Sequence, residues 1–307
     1  MRWVIGPLLT VLVATFLVAL ALDIAPGDPV AALAGNHPSP AHLAAIRHEL
    51  GLDQSFLARY WSWLTGVLHG DLGRSISLRS GVGGAISARL PTTAFLVVYA
   101  GLLILVFGIG LGIIGGWFRR LSPAIAALTG LAIAIPAFVA AIVLVQVFAL
   151  NLELFPAIGA GSGFVDRIWH LTLPAIALAL AMSAYLAQIS RAAIAAERDR
   201  EHVVAARGRG MSNGMVFRRH VLRNAALPII TVSGVVVAGT ISAAVVVESA
   251  FGIDGLGSLL VTSVSAKDYP VVQAIALILV LSFVLVTTAI DLLQRLLDPR
   301  IRETGRR

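Results

Sequence analysis

Apolar positions in this chain do not alternate with polar ones at the period of a strand; they run together in long blocks. Six blocks, near residues 4–22, 94–116, 124–150, 171–190, 225–247 and 271–290, reach the length of about 20 residues that an α-helix needs to cross a bilayer. Backbone N–H and C=O groups find no water in lipid, so such blocks satisfy themselves as helices, and the expected fold class is an all-α integral membrane protein with six transmembrane helices. The expected organisation is a first transmembrane helix at 1–23, an extracytoplasmic segment with amphipathic helices at 24–92, and a five-helix core at 93–307 that includes a cytoplasmic loop at 191–224.

Punctuation between and within the blocks refines this picture. The breakers Ala25-Pro26-Gly27-Asp28-Pro29 end the first helix. Ser39-Pro40 reads as the N-cap and first position of a helix whose Leu43, Ile46 and Leu50 share a face and whose stop is Gly51. A second amphipathic helix is expected after Ser55, with Phe56, Tyr60, Trp63, Leu64 and Val67 on one face, suited to rest on the membrane surface or on other spans. Gly108, Gly112 and Gly116 recur every four residues, which lets another helix approach closely. Pro136 falls in mid-span and predicts a kink. Residues 191–224 read as helix up to Arg209, a break at Gly210, a cap at Ser212 and a further short helix, so a bent helical pair projects from the membrane.

Composition fits lipid as the solvent: 58% of residues are hydrophobic, 13% are charged, and the mean hydropathy is +0.91. With the N-terminus in the cytoplasm, 16 of the 23 Lys and Arg residues fall in inside segments and seven in longer outside segments, which predicts both termini inside. The net charge of +7 is thereby explained as membrane orientation and not as nucleic-acid binding. The first helix has Arg2 ahead of its apolar run and small residues at Ala19 and Ala21, but the run is long for a cleaved signal and is read as retained. With no cysteine, thiolate metal sites and disulfides are excluded. Few ionisable groups lie in the spans: Glu248 reads as a helix end facing water, Asp291 as the inner end of the sixth span, and Arg191 stands just past the fourth.

The loop at 191–224 carries eight Arg against Glu197, Asp199 and Glu201. Its run from Glu201 through Ala205-Ala206-Arg207-Gly208-Arg209-Gly210-Met211-Ser212, followed by His220-Val221-Leu222-Arg223-Asn224-Ala225-Ala226-Leu227-Pro228, resembles the coupling-loop signature of binding-protein-dependent ABC importer permeases of the dipeptide, oligopeptide and nickel group. Further pieces match in order: Pro26-Gly27-Asp28-Pro29, Gly51-Leu52-Asp53, Gly70-Asp71-Leu72-Gly73-Arg74-Ser75, Arg89-Leu90-Pro91, Ile135-Pro136-Ala137-Phe138, Glu248 with Phe251 and Gly255-Leu256-Gly257, Asp268-Tyr269-Pro270 and Asp298-Pro299-Arg300-Ile301. The ordered set resembles B-type permeases of dipeptide systems most. His202, Val204 and Asp254 depart from the pattern, where tyrosine, arginine and proline are usual.

The resemblance implies the type I permease fold of ABC importers and ATP-driven import of di- and oligopeptides across the bacterial cytoplasmic membrane. The implied partners are a second homologous permease, two ATPase subunits or one fused ATPase, an extracytoplasmic substrate-binding protein and membrane lipid. It also implies that Glu201, Ala205, Ala206, Arg207, Gly210, Arg223, Asn224 and Pro228 couple the chain to the ATPase. No catalytic residue, cofactor or metal is expected in this chain; ATP and Mg belong to the partners. In agreement, the one lysine, Lys267, follows Ser265-Ala266 and no phosphate-binding loop is present. A membrane protease would need a serine and a histidine facing one another at depth, whereas Ser162 and all seven histidines fall outside the expected spans. A passive channel or secondary carrier is disfavoured by the scarcity of mid-span charge. Nickel or haem are the alternative cargoes, yet His37, His42 and His48 do not share a helix face.

Overall fold

A computed structural model of the chain describes residues 2–26, 30, 39, 41, 44, 47, 48 and 53–297. The expected helix face Leu43, Ile46 and Leu50 with its stop Gly51 lies outside these residues, as do Gly27, Asp28, Pro29, His37, Pro40, His42, Leu52 and the chain beyond Leu297. The described elements are α1 (Arg2–Ile24), α2 (Phe56–Leu68), α3 (Val82–Trp117), α4 (Ser122–Ala134), α5 (Ala137–Leu144), α6 (Phe164–Arg198), α7 (Glu201–Gly208), α8 (Asn213–Val216), α9 (Arg223–Ala250), α10 (Leu256–Ser265) and α11 (Tyr269–Leu297). Wider π-helical turns follow α5 at Val145–Asn151 and α8 at Phe217–Leu222.

Five of these helices are long and apolar enough to cross a membrane, and α4 with α5 makes a sixth as one broken span. The break is at Pro136, as its missing N–H predicts, but the two halves meet at 95°, far beyond an ordinary proline kink. Ile135 N–H falls back on Ala132 O at 3.3 Å, a tighter turn that closes α4.

The chain forms two compact units. One comprises residues 1–93 and 254–284. Here the aromatic face of α2 packs on α1: Phe16 meets the rings of Phe56 and Tyr60 at 5.5 and 5.3 Å, and the Tyr60 hydroxyl lies 3.1 Å from Thr15 Oγ1. Arg59 pairs with Asp23 at the end of α1. The opposite face of α2 leaves Leu57, Trp61 and Leu68 exposed, as an interfacial helix does. Val82 and Ile86 of α3 pack with Leu256 and Leu259 of α10 and with Val271, Ala274 and Ile275 of α11. Thr93 Oγ1 accepts Leu256 N–H at 2.8 Å, and Arg89 Nε donates to Asp254 at 2.6 Å. Asp254 thus forms an ion pair with Arg89.

The other unit comprises residues 94–253 and 285–307. Its axis is α6, packed by α3, α4, α5 and α9. Each glycine of the predicted stripe meets one side chain of α6: Gly108 faces Leu186, Gly112 faces Ser190 and Gly116 faces Ile194. Four-residue spacing on both helices keeps these ridges in step.

Glu248 corrects an expectation. It is wholly buried (0% exposed) and does not face water. The chain past α9 folds back, with Ile253 N–H on Glu248 O at 2.9 Å and Phe251 and Ile253 buried over the helix end.

Candidate functional site

The segment from Ala193 to Ile229 is a hairpin of short helices built on its own apolar core. Ile194, Val203, Ala206, Val216, Val221, Ala225 and Ile229 are buried together, with Trp117, Met211 and Phe217 against them. The bent pair is present, but the first helix does not run unbroken to Arg209. It stops at Arg198, turns at Asp199 and Arg200, and restarts as α7.

The cause of the extra turn is the arginine after Glu197. Arg198 is buried, and its Nη1 donates to Gly116 O at 2.7 Å and Trp117 O at 3.2 Å, two orphan carbonyls at the end of α3. Asp199 accepts from Arg198 Nε at 3.2 Å and Arg119 Nη2 at 2.8 Å. Those two guanidiniums lower the Asp199 carboxyl to about 2, from an ordinary value near 3.8. A carboxylate held low contributes stability above its unfolded value and loses it as pH falls through the folded one, so this clamp is fully formed at neutral pH.

At the far end of α7 the chain reverses at Gly210, with φ of +81°. Gly210 N–H bonds Arg207 O at 2.9 Å and Met211 N–H bonds Ala206 O at 3.3 Å, the paired closure of a Schellman motif, with Met211 and Ala206 in one apolar cluster. Ser212 stands at the N-cap of α8 with extended backbone, but its side chain makes no capping bond.

Of the eight expected coupling residues, Glu201, Ala205, Arg207, Gly210, Arg223, Asn224 and Pro228 are exposed, while Ala206 is buried under the corner. Arg207 lies over the Trp117 ring at 5.5 Å, and Trp117 meets Phe217 at 5.0 Å. Asn224 Nδ2 donates to Glu197 Oε1 at 3.0 Å. The same carboxylate is 3.2 Å from His202 Nε2 and 3.3 Å from Arg200 Nε. Glu197 is therefore a hub that ties the end of α6 to α7 and to the start of α9, and the sequence analysis missed it. Only the local spacing of Glu197, Arg200 and His202 could have hinted at it, because Asn224 is 27 residues away.

Among the described residues no group of three or more His, Cys, Asp or Glu could hold a metal. His48 is bound to Asp53 at 2.8 Å, which raises the imidazole and lowers the carboxyl. The hairpin is compact and basic, and its base is bonded to α3, α6 and α9.

Comparison with known proteins identifies the family. The family described as "Binding-protein-dependent transport system inner membrane component" matches residues 108–303, and its N-terminal component matches residues 1–97. A Brucella abortus protein provisionally named a peptide transport system permease is 36% identical over 297 residues, covering 95% of this chain and 94% of its own. The glutathione transport system permease protein of Pectobacterium atrosepticum is 34% identical over 303 residues, covering 97% and 96%. Among solved structures, the inward-facing methionine ABC transporter MetNI aligns with a TM-score of 0.57 at 14% identity, over 69% of this chain and 96% of that one. An amino acid ABC transporter aligns with a TM-score of 0.55 at 20% identity, over 69% and 94%. These two likenesses establish the fold.

Proposed function

The chain belongs to the family of binding-protein-dependent transport system inner membrane components, and on that premise we propose that it carries di- and oligopeptides inward, driven by ATP hydrolysis in partner subunits. It is the membrane-spanning component of a transporter and not an enzyme. Peptide cargo is supported by the relatives named for peptide and glutathione transport, glutathione being itself a tripeptide.

The observation that carries the mechanism is the hairpin 199–224, whose short helices share one apolar core while most of its expected coupling residues are exposed. We place α7 and the Gly210 corner against an ATPase groove, with ATP and Mg bound there and not on this chain. Nucleotide-driven closure moves the hairpin as one body, because α7 and α8 share a core and Glu197 and Arg198 tie it to α6, α9 and α3. The helix bundle then switches the side on which its cavity opens, a shift between two packings. A second homologous permease completes the cavity.

The corner tests this reading. A Cβ at Gly210 would meet nothing within 4 Å, so a substitution acts through the positive φ alone. Valine there costs about 1–3 kcal/mol. In the assembled transporter, Gly210→Val is expected to lower ATP-driven peptide uptake by about tenfold or more while membrane insertion persists. Wild-type uptake with normal ATPase association would defeat the coupling role.

Orientation has its own test. Because the native chain has no cysteine, single cysteines at the exposed positions Ser80 and Ser212 report without background. Ser80→Cys is expected to react with an impermeant maleimide in intact cells, and Ser212→Cys only after permeabilisation. Labelling of both from one side would contradict the six-span topology, and labelling of Ser212→Cys in intact cells with Ser80→Cys protected would contradict cytoplasmic termini.

A further inference from the structure

The loop between Arg74 and Gly81 is built more stiffly than a connection requires. Arg74 and Gly81 close it as an antiparallel bridge, Ser75 N–H donates to Ser80 O at 2.9 Å, and Val82 N–H donates to Gly73 O at 3.0 Å. From beneath, the carboxylate of Asp268 takes Ile76 N–H at 3.1 Å, Ser77 N–H at 2.9 Å, Ser77 Oγ–H at 2.6 Å and Ser75 Oγ–H at 2.5 Å. Leu78 N–H is held by Ser75 Oγ at 2.8 Å. Ser75 and Ile76 are buried, whereas the tip from Ser77 to Gly81 is exposed.

Three features of the loop face outward. Arg79 holds a φ of +52°, in the left-handed region that a glycine would occupy without strain. Leu78 beside it leaves 45% of its surface exposed. Arg74 and Arg79 have no hydrogen-bond or ion-pair partner among the described residues, and residues 72–81 contain no acid. Strain held at an exposed position by a buried scaffold marks recognition surfaces, and a loop ordered in advance loses little entropy on docking.

We propose that this loop is a docking tip for an acidic face of an extracytoplasmic substrate-binding protein. Arg74 and Arg79 pair with its carboxylates, and Leu78 enters an apolar dimple between them. The inference rests on the importer reading above, which puts residues 24–92 outside and whose family is binding-protein-dependent by description. A protein face is favoured over anionic lipid because the loop has one fixed shape, and a fluid surface gains nothing from shape. The tip also carries no aromatic anchor.

The test uses the whole transporter in nanodiscs and its own purified binding protein. ATPase rate is titrated with binding protein at about 50 mM and about 500 mM salt, concentrations that bracket strong and weak screening. Arg74→Glu with Arg79→Glu is expected to raise the half-saturating concentration about tenfold or more at low salt and much less at high salt, with the basal rate unchanged. Arg79→Gly relaxes the backbone while removing the charge, so its expected loss of about threefold cannot come from misfolding. An unchanged half-saturating concentration in both variants overturns the proposal. So does an unchanged value accompanied by weaker binding to phosphatidylglycerol vesicles, which assigns the tip to lipid. Absence of any stimulation in the wild type overturns the importer reading itself.

Discussion

Gly112→Ala is expected to destabilise the protein by about 1–3 kcal/mol, although alanine is the better helix former by about 1 kcal/mol. The reason lies across the interface. A methyl group at Gly112 would overlap the Cβ of Ser190 and stand 3.0 Å from Ala187 O and 3.2 Å from Arg191 N, two backbone atoms of α6 that cannot step aside. Gly110, two residues away in the same helix, has nothing within 4 Å of the equivalent position. Gly110→Ala is therefore the control and should be neutral or stabilising by up to about 1 kcal/mol. Thermal denaturation of the detergent-solubilised protein measures both. Ser190→Gly should rescue Gly112→Ala only in part, because it removes the overlapping Cβ and leaves the two backbone contacts, and it does so at little polar cost, since the Ser190 hydroxyl is buried with no hydrogen-bond partner among the described residues. Equal stability of the two alanine variants would refute close approach as the role of the stripe.

How far the chain could be read beforehand follows from the range of each interaction. Spans came through because lipid imposes one demand, about 20 apolar residues, on each segment separately. The corner at Gly210 and the aromatic face of α2 are equally local, and both stand where periodicity and breakers put them. The glycine stripe announced a close neighbour without saying which, and nothing about Pro136 alone gives a 95° bend. Glu248 was misread because a carboxylate at a helix end defaults to water until the following residues fold over it. Glu197 and Arg198 looked like members of a charged run. Their roles depend on Asn224 and on the carbonyls of Gly116 and Trp117, which only the tertiary fold brings near.

The longest-range example is also the strongest expected effect. Two motifs that marked the family separately, Gly70 to Ser75 and Asp268-Tyr269-Pro270, are joined by the Asp268 carboxylate. That carboxylate is wholly buried (0% exposed) and has no ion-pair partner among the described residues, so its charge is solvated by two backbone N–H groups and two hydroxyls. Burying a charge is costly, and its replacement by an apolar group can be neutral when every partner is replaced as well. Asp268→Ala replaces none of them. It strands the buried amide of Ile76 and removes the acceptor of the Ser77 amide, neither of which has another acceptor among the described residues, with an expected loss of about 3–5 kcal/mol. Asp268→Asn keeps an oxygen for one amide but turns an NH2 group toward the others. The serine hydroxyls can rotate to accept from it and the amide of Ser77 cannot, so an intermediate loss of about 1–3 kcal/mol is expected. Trypsin reads this directly, because Arg79 lies at the exposed tip of the clasped loop and cleavage there requires the backbone to open. When opening is fast relative to cleavage, the rate follows the open population, and 3 kcal/mol corresponds to a rise of about 100-fold. Cleavage after Arg79 should thus accelerate in the order wild type, Asn, Ala. An Ala variant cut no faster than wild type would show that Asp268 does not hold the loop.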